Sequence, residues 1–234
     1  MAKKAVLLEL LAETVRREQE FIDGLSDAQR AAIGEADNWS AKDLVAHCAY
    51  WKKRRVAEIP KVLAGGTPEV IDDFDHENEL IFKAHRDMSW DEIIALSHDA
   101  SHEIVAQVQQ MSEQDLERPW QDDRLIWRTI VGNGYSHTMV HLAEHYQNEG
   151  DMAKAAELTA LLGQPLAELD DSPSWQGTVK YNAACGLSLL GKKEAAIKEL
   201  GEAFKMTPAL IEWSKQDPDL EPLREEEAFQ ALYQ

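Results

Sequence analysis

Histidine is the side chain best suited to hold a divalent ion or move a proton near neutral pH, and this chain of 234 residues has eight. Three of them stand four residues apart in GYSHTMVHLAEHYQ, residues 134–147: His137, His141 and His145. On an α-helix such residues share one face, about 6 Å apart and turned by about 40° per step. A neighbouring pair can therefore put both imidazoles on one ion. All three would span about 12 Å, too far for an ion bound at about 2 Å per ligand. At most two of them share a metal, and a further ligand must come from another segment. His47 in NWSAKDLVAHCAYW is the candidate, flanked by Leu44, Val45 and Ala46. A lone histidine on an apolar face is as readily a hydrogen-bonded core residue; paired with a second helix of one bundle it becomes a candidate ligand.

The elements that must carry these residues are helical. Leu7, Leu8, Leu11, Val15, Phe21 and Ile22 recur at three- and four-residue steps, which makes the N-terminus an amphipathic helix rather than a signal peptide. Ser40 with Asp43, and Ser89 with Glu92, have the spacing of capping boxes and start two long helices. GNG at 132–134 leads into a helix from about Tyr135 to Asn148. Four long helices with one long crossover predict a bundle, and alternating strand patterns are nearly absent. His98 and His102 also stand four apart, but LSHDASHEI reads as a solvated face, and Glu144 as a surface residue. Trp39, Trp51, Trp120, Trp127 and Tyr135 lie near the histidines in sequence, as core or as pocket wall.

Hydrophobic residues make up 44%, charged residues 29%, and the formal charge is −19. That much negative charge argues against nucleic acid and against an acidic membrane surface as partners. No apolar run reaches the length of a membrane span. The two cysteines, Cys48 and Cys185, read as single buried residues, so the expected compartment is the cytoplasm.

Two resemblances sharpen this reading. NWSAKDLVAHCAYW and HLAEHYQ resemble the first signature and the last core helix of the DinB-like four-helix bundles, over roughly residues 1–150. That resemblance implies an all-α, up-down-down-up bundle and a three-histidine site. The family's glutamine after the second histidine matches Gln147 and maps the metal ligands onto His47, His141 and His145, with His137 left to orient a ligand or a water. Between histidine and glutamine this chain has Tyr146 alone, where relatives commonly have arginine and glycine. The middle region, with Asn78, SWDE and MSEQDL, resembles the ClbS/DfsB branch. Residues 175–208 resemble one tetratricopeptide repeat, in Ala184, Gly191, Ala196, Ala203 and Pro208, with 209–234 similar to the closing repeat of bacterial tetratricopeptide-like tails. The expected division is therefore a bundle at 1–150, a linker helix and hinge at 151–174, and a small helical segment at 175–234.

The resemblance implies one divalent ion per chain, zinc or nickel by ligand type. It also implies a thiol-dependent transferase or hydrolase acting on a small electrophilic molecule, in a chain that often pairs as a homodimer. The competing expectation is a non-enzymatic scaffold whose C-terminal helices bind a protein partner. No Ser/His/Asp order, phosphate loop or paired CxxC points elsewhere.

Overall fold

The computed structural model describes residues 2–36, 38–121 and 124–234. The chain divides into two compact units, Met1–His141 and Leu142–Gln234. The division falls inside a helix, before the boundary near residue 150 expected from sequence.

The first unit is built on helices α1 (Lys3–Gly24), α3 (Ala41–Leu63) and α5 (Trp90–Gln110), with the short α2 (Asp27–Ala31) between the first two. α5 packs on both α1 and α3. The capping boxes read from sequence are formed: Ser40 accepts from the Asp43 amide and Ser89 from the Glu92 amide, and each carboxylate accepts from the cap's own amide. The ring of helices is closed by α7 (Ile126–Val131), a π-helical turn at Gly132–Ser136, and the start of α8 (His137–Asn148). That π-turn packs on both α1 and α3. Gly134 makes the approach to α1 possible, since a Cβ there would lie 2.6 Å from Leu11 Cδ2, and 3.1 Å from Ile104 Cδ1 of α5.

The crossover between α3 and α5 holds α4 (Phe74–His85) against α3. Tyr50 donates to Glu77, and Lys42 Nζ donates to the carbonyls of Arg86 at 2.8 Å and Met88 at 2.9 Å, pinning both ends of α4. After α6 (Glu113–Leu116), the stretch expected as a plain connection contains a minimal antiparallel ladder, β1 (Pro119–Gln121) with β2 (Arg124–Leu125). Among the described residues the fold is all-α apart from that ladder and one isolated bridge, Glu35 with Asn38. Among the described residues, no helix is long and apolar enough to cross a membrane.

The second unit contains α9 (Met152–Leu161), α10 (Gln164–Ala167), α11 (Pro173–Leu189) and α12 (Lys193–Met206). The segment expected as linker and hinge is tied to α11, because Trp175 Nε1 donates to the Leu166 carbonyl at 2.7 Å and Gln176 Nε2 to that of Ala167 at 2.7 Å. α11 and α12 form a helical hairpin turned at Gly191, whose φ of 70° only glycine adopts freely. Ala184, Ala196 and Ala203 are fully buried, as close helix packing requires. Beyond it come α13 (Leu210–Ser214), a 3-10 segment at Pro218–Leu223, α14 (Glu227–Gln230) and a last turn at Ala231–Tyr233. Leu220, Leu223 and Phe229 complete this unit's core.

Candidate metal centre

His47 lies on the second turn of α3, oriented by the Ser40–Asp43 cap one turn earlier, and is 3% exposed. His137 is the first residue of α8 and His141 stands one turn on. The three rings converge. His47 Nε2 lies 3.0 Å from His137 Nε2, and His141 Nε2 lies 3.1 Å from that same atom. One ligand nitrogen from each residue can be chosen so that all three lie within 4.8 Å of one another.

The expected pairing principle holds, since two histidines of one helix join one from another. The pair differs from the expectation: His137 takes the place assigned to His145. His145 is one turn further along α8, in the second unit, where its ring meets Tyr146 edge-on at 6.2 Å. Burial lowers its pKa while Glu149 opposes the shift. Both pairs share one helix face, so spacing cannot choose between them. The choice depends on how far α8 has advanced when it passes His47, and the π-turn at Gly132–Ser136 helps fix that level.

The environment disfavours charge on the His47 and His137 rings. Burial pushes the His47 pKa down to about 3, with His141 adding repulsion. Burial, His141 and His47 hold His137 well below the ordinary range, aided by the Lys52 and Arg55 cations. Neutral imidazoles are the form that binds metal. Four ligands at about 2.05 Å in a tetrahedron lie about 3.3 Å from each other, and the two short nitrogen separations, 3.0 and 3.1 Å, are close to that. His137 Nε2 offers one in-plane site, an N–H or a lone pair, and either serves only one of its two neighbours well. The donor set therefore fits a divalent ion, and these three residues could hold one.

Aromatic rings wall the site. Trp39 stands 4.3 Å from the His47 ring and 5.8 Å from that of His141, while Trp51 meets His47 edge-on at 6.2 Å. The other aromatics singled out in sequence, Trp120, Trp127 and Tyr135, are core residues. Beside His47 a shallow recess, partly open to solvent and with enclosed room for about one water molecule, lies between α3 and α4. Below the site, Lys52 Nζ donates to Glu18 Oε2 at 2.6 Å and Ser101 Oγ at 3.3 Å, with both charges buried. That pair escaped the sequence reading, although Glu18 falls on the inward face of α1 between Thr14 and Phe21. His98 and His102 are exposed, as is Glu144, in line with the solvated faces read for them.

A profile of the DinB superfamily matches residues 10–148, more than half of the chain, and spans His47, His137, His141 and His145. The chain belongs to the DinB superfamily. No curated protein and no solved structure matches it. As a DinB-superfamily member it has the expected all-α fold; His47 and His141 of the cluster lie in the two segments that first pointed to the family, and His137 lies one turn before the second.

Proposed function

We propose that this DinB-superfamily chain is a metal-dependent enzyme that adds a small thiol or water to an electrophilic small molecule. One observation supports the reading: His137 Nε2 lies 3.0 Å from His47 Nε2 and 3.1 Å from His141 Nε2, spacings that suit three ligands of one divalent ion. The assigned ligands are His47, His137 and His141, with zinc or nickel suited to the nitrogen set. When bound, such an ion with an open position lowers the pKa of a thiol or water enough to form the nucleophile at neutral pH.

The chain's own residues supply the rest. Trp39 and Trp51 shield the imidazoles, which strengthens every charge interaction at the site. Lys52 and Arg55 favour negative charge near His137. The Ser40–Asp43 cap fixes the turn from which His47 projects, a constraint of the kind that sets ligand geometry in metal sites.

The test uses 1-chloro-2,4-dinitrobenzene with L-cysteine or glutathione. Sulfur forms a bond to the ring carbon bearing chlorine, chloride leaves with its electron pair, and the thiol proton passes to solvent. The zinc-loaded protein is expected to accelerate this above the uncatalysed rate, and His137→Ala to abolish the acceleration. Equal rates for both proteins would overturn the assignment.

A further inference from the structure

Among the described residues, the non-local polar ties of the crossover that holds α4 all end on α3. Tyr50 donates to Glu77, Arg54 Nη2 donates to Glu69 Oε2 at 3.3 Å on the approach to α4, and Lys42 Nζ holds two carbonyls just beyond its end. Ile81 is the one buried residue of α4, and Phe74 and Leu80 are already 58% and 47% exposed. Parting α4 from α3 therefore uncovers little apolar surface, and elements with few buried apolar contacts are those that open locally. The closed arrangement also seals Asn78 Oδ1 away without a hydrogen-bond partner among the described residues, a cost that water removes once the helix lifts. Before α4, Gly65 has a φ of 92°, in the region glycine adopts freely, and with Gly66 it provides a pivot.

What α4 covers gives such a motion a use. Asn78, Ile81, Phe82 and His85 face Trp39 and His47 across a recess with room for about one water, too little for an organic molecule. The Phe74 ring lies 5.9 Å from that of Trp51. Trp39 and Trp51 are the aromatic walls of the histidine cluster, so α4 backs both. We propose that α4 is a strap over the histidine cluster, which lifts from α3 as a unit to admit a small molecule on the His47 side and closes to shut bulk water out. Its service to a reaction rests on the metal-dependent reading above; its opening does not.

The test follows how fast diethyl pyrocarbonate modifies His47 in the full chain after chelator treatment, with the exposed His102 as internal standard and peptide mass mapping to read each site. In wild type, His47 is expected to react at least about tenfold more slowly than His102. Tyr50→Phe combined with Lys42→Met, which removes two of the ties, is expected to speed His47 by about tenfold and leave His102 unchanged. Each single variant, expected to give about threefold, repeats the test should the double variant fold poorly. In amide exchange on the same proteins, α4 is expected to exchange before α1 and α5, and the substitutions to speed α4 alone. His47 reactivity unchanged in all the variants, or α4 amides that exchange only together with those of α1 and α5, would overturn the strap. The expected results in a wild-type chain that binds no metal would sink the catalytic reading alone.

Discussion

Each unit of the molecule brings three potential metal ligands within 4.8 Å: His47, His137 and His141 in the first, Cys185, Asp217 and Asp219 in the second. The resemblance ends there. In the second trio the polar atoms answer one another. Tyr181 donates to Asp217 Oδ2 at 2.7 Å, the Cys185 thiol points at the same oxygen at 3.7 Å, and Asp217 Oδ1 accepts from the Asp219 amide at 3.0 Å. Asp217 is thus a helix-capping residue with a tyrosine anchor, and the trio is part of the fold. In the first trio a single ring nitrogen, His137 Nε2, stands within hydrogen-bond distance of two others, and the Nδ1 atoms of His47 and His137 are buried without hydrogen-bond partners among the described residues. Proximity of ligand-type atoms is common to both; unmet hydrogen-bonding capacity is found in one.

The sharpest way to break this contrast is to remove metal. At an ion concentration of about 1,000 times the dissociation constant, binding stabilises a protein by about 4 kcal/mol, or roughly 10 °C in melting temperature. Chelator is expected to lower the melting temperature of wild type and of Asp219→Ala by that order, and to leave His137→Ala unmoved. Calorimetry with and without chelator reads this directly.

A smaller effect is expected from the second trio. Asp217→Ala leaves the Tyr181 hydroxyl buried without its acceptor and removes a cap, at a cost of about 1–3 kcal/mol in urea unfolding. Metal content should not change. A loss of metal in this variant would mean the two trios are not separate.

The two trios should also respond to acid with opposite sign. The folded-state pKa of His47 is depressed to about 3, so its contribution in the metal-free protein is complete above the unfolded value of 6.5 and is lost as pH falls from there toward 3. Burial and the neighbouring Asp217 and Glu144 raise the Asp219 pKa, so its contribution is complete below 3.8 and is lost as pH rises through the folded value. Hydrogen exchange on the chelator-treated protein is expected to show protection at α3 falling as pH goes from 7 to 5, and protection around Pro218–Leu223 falling as pH rises from 3.8 instead. The reverse order would contradict both assignments.

The smallest effect expected is none at all. Cys48 and Cys185 are buried, and burial with the Asp217 carboxylate pushes the Cys185 thiol up. Neither should react with iodoacetamide at pH 8 until the chain unfolds, as mass spectrometry would register.

Much of this was legible in the amino-acid order. Local signals carried furthest: Ser40 with Asp43 and Ser89 with Glu92 start helices because the capping residues lie within four positions. The pairing of His47 with two histidines of a later helix was legible too, because helical geometry limits how many imidazoles one ion can collect. The identity of that pair was not. It depends on the axial level of α8 against α3, which is a tertiary quantity modified by the π-turn at Gly132–Ser136. The Glu18–Lys52 pair was hidden for a similar reason: each residue alone reads as surface charge, and only the packing of α1, α3 and α5 buries both. The recess between α3 and α4 depends on how the crossover helix packs on α3, which is again a tertiary quantity.

The central claim is that His47, His137 and His141 hold one ion. Elemental analysis of the full chain purified without added metal, beside His137→Ala and His145→Ala, tests it most directly. The account predicts about one zinc or nickel per chain in wild type and in His145→Ala, and less than about a tenth of that in His137→Ala. A wild-type chain without metal, or equal metal in wild type and His137→Ala, would contradict it.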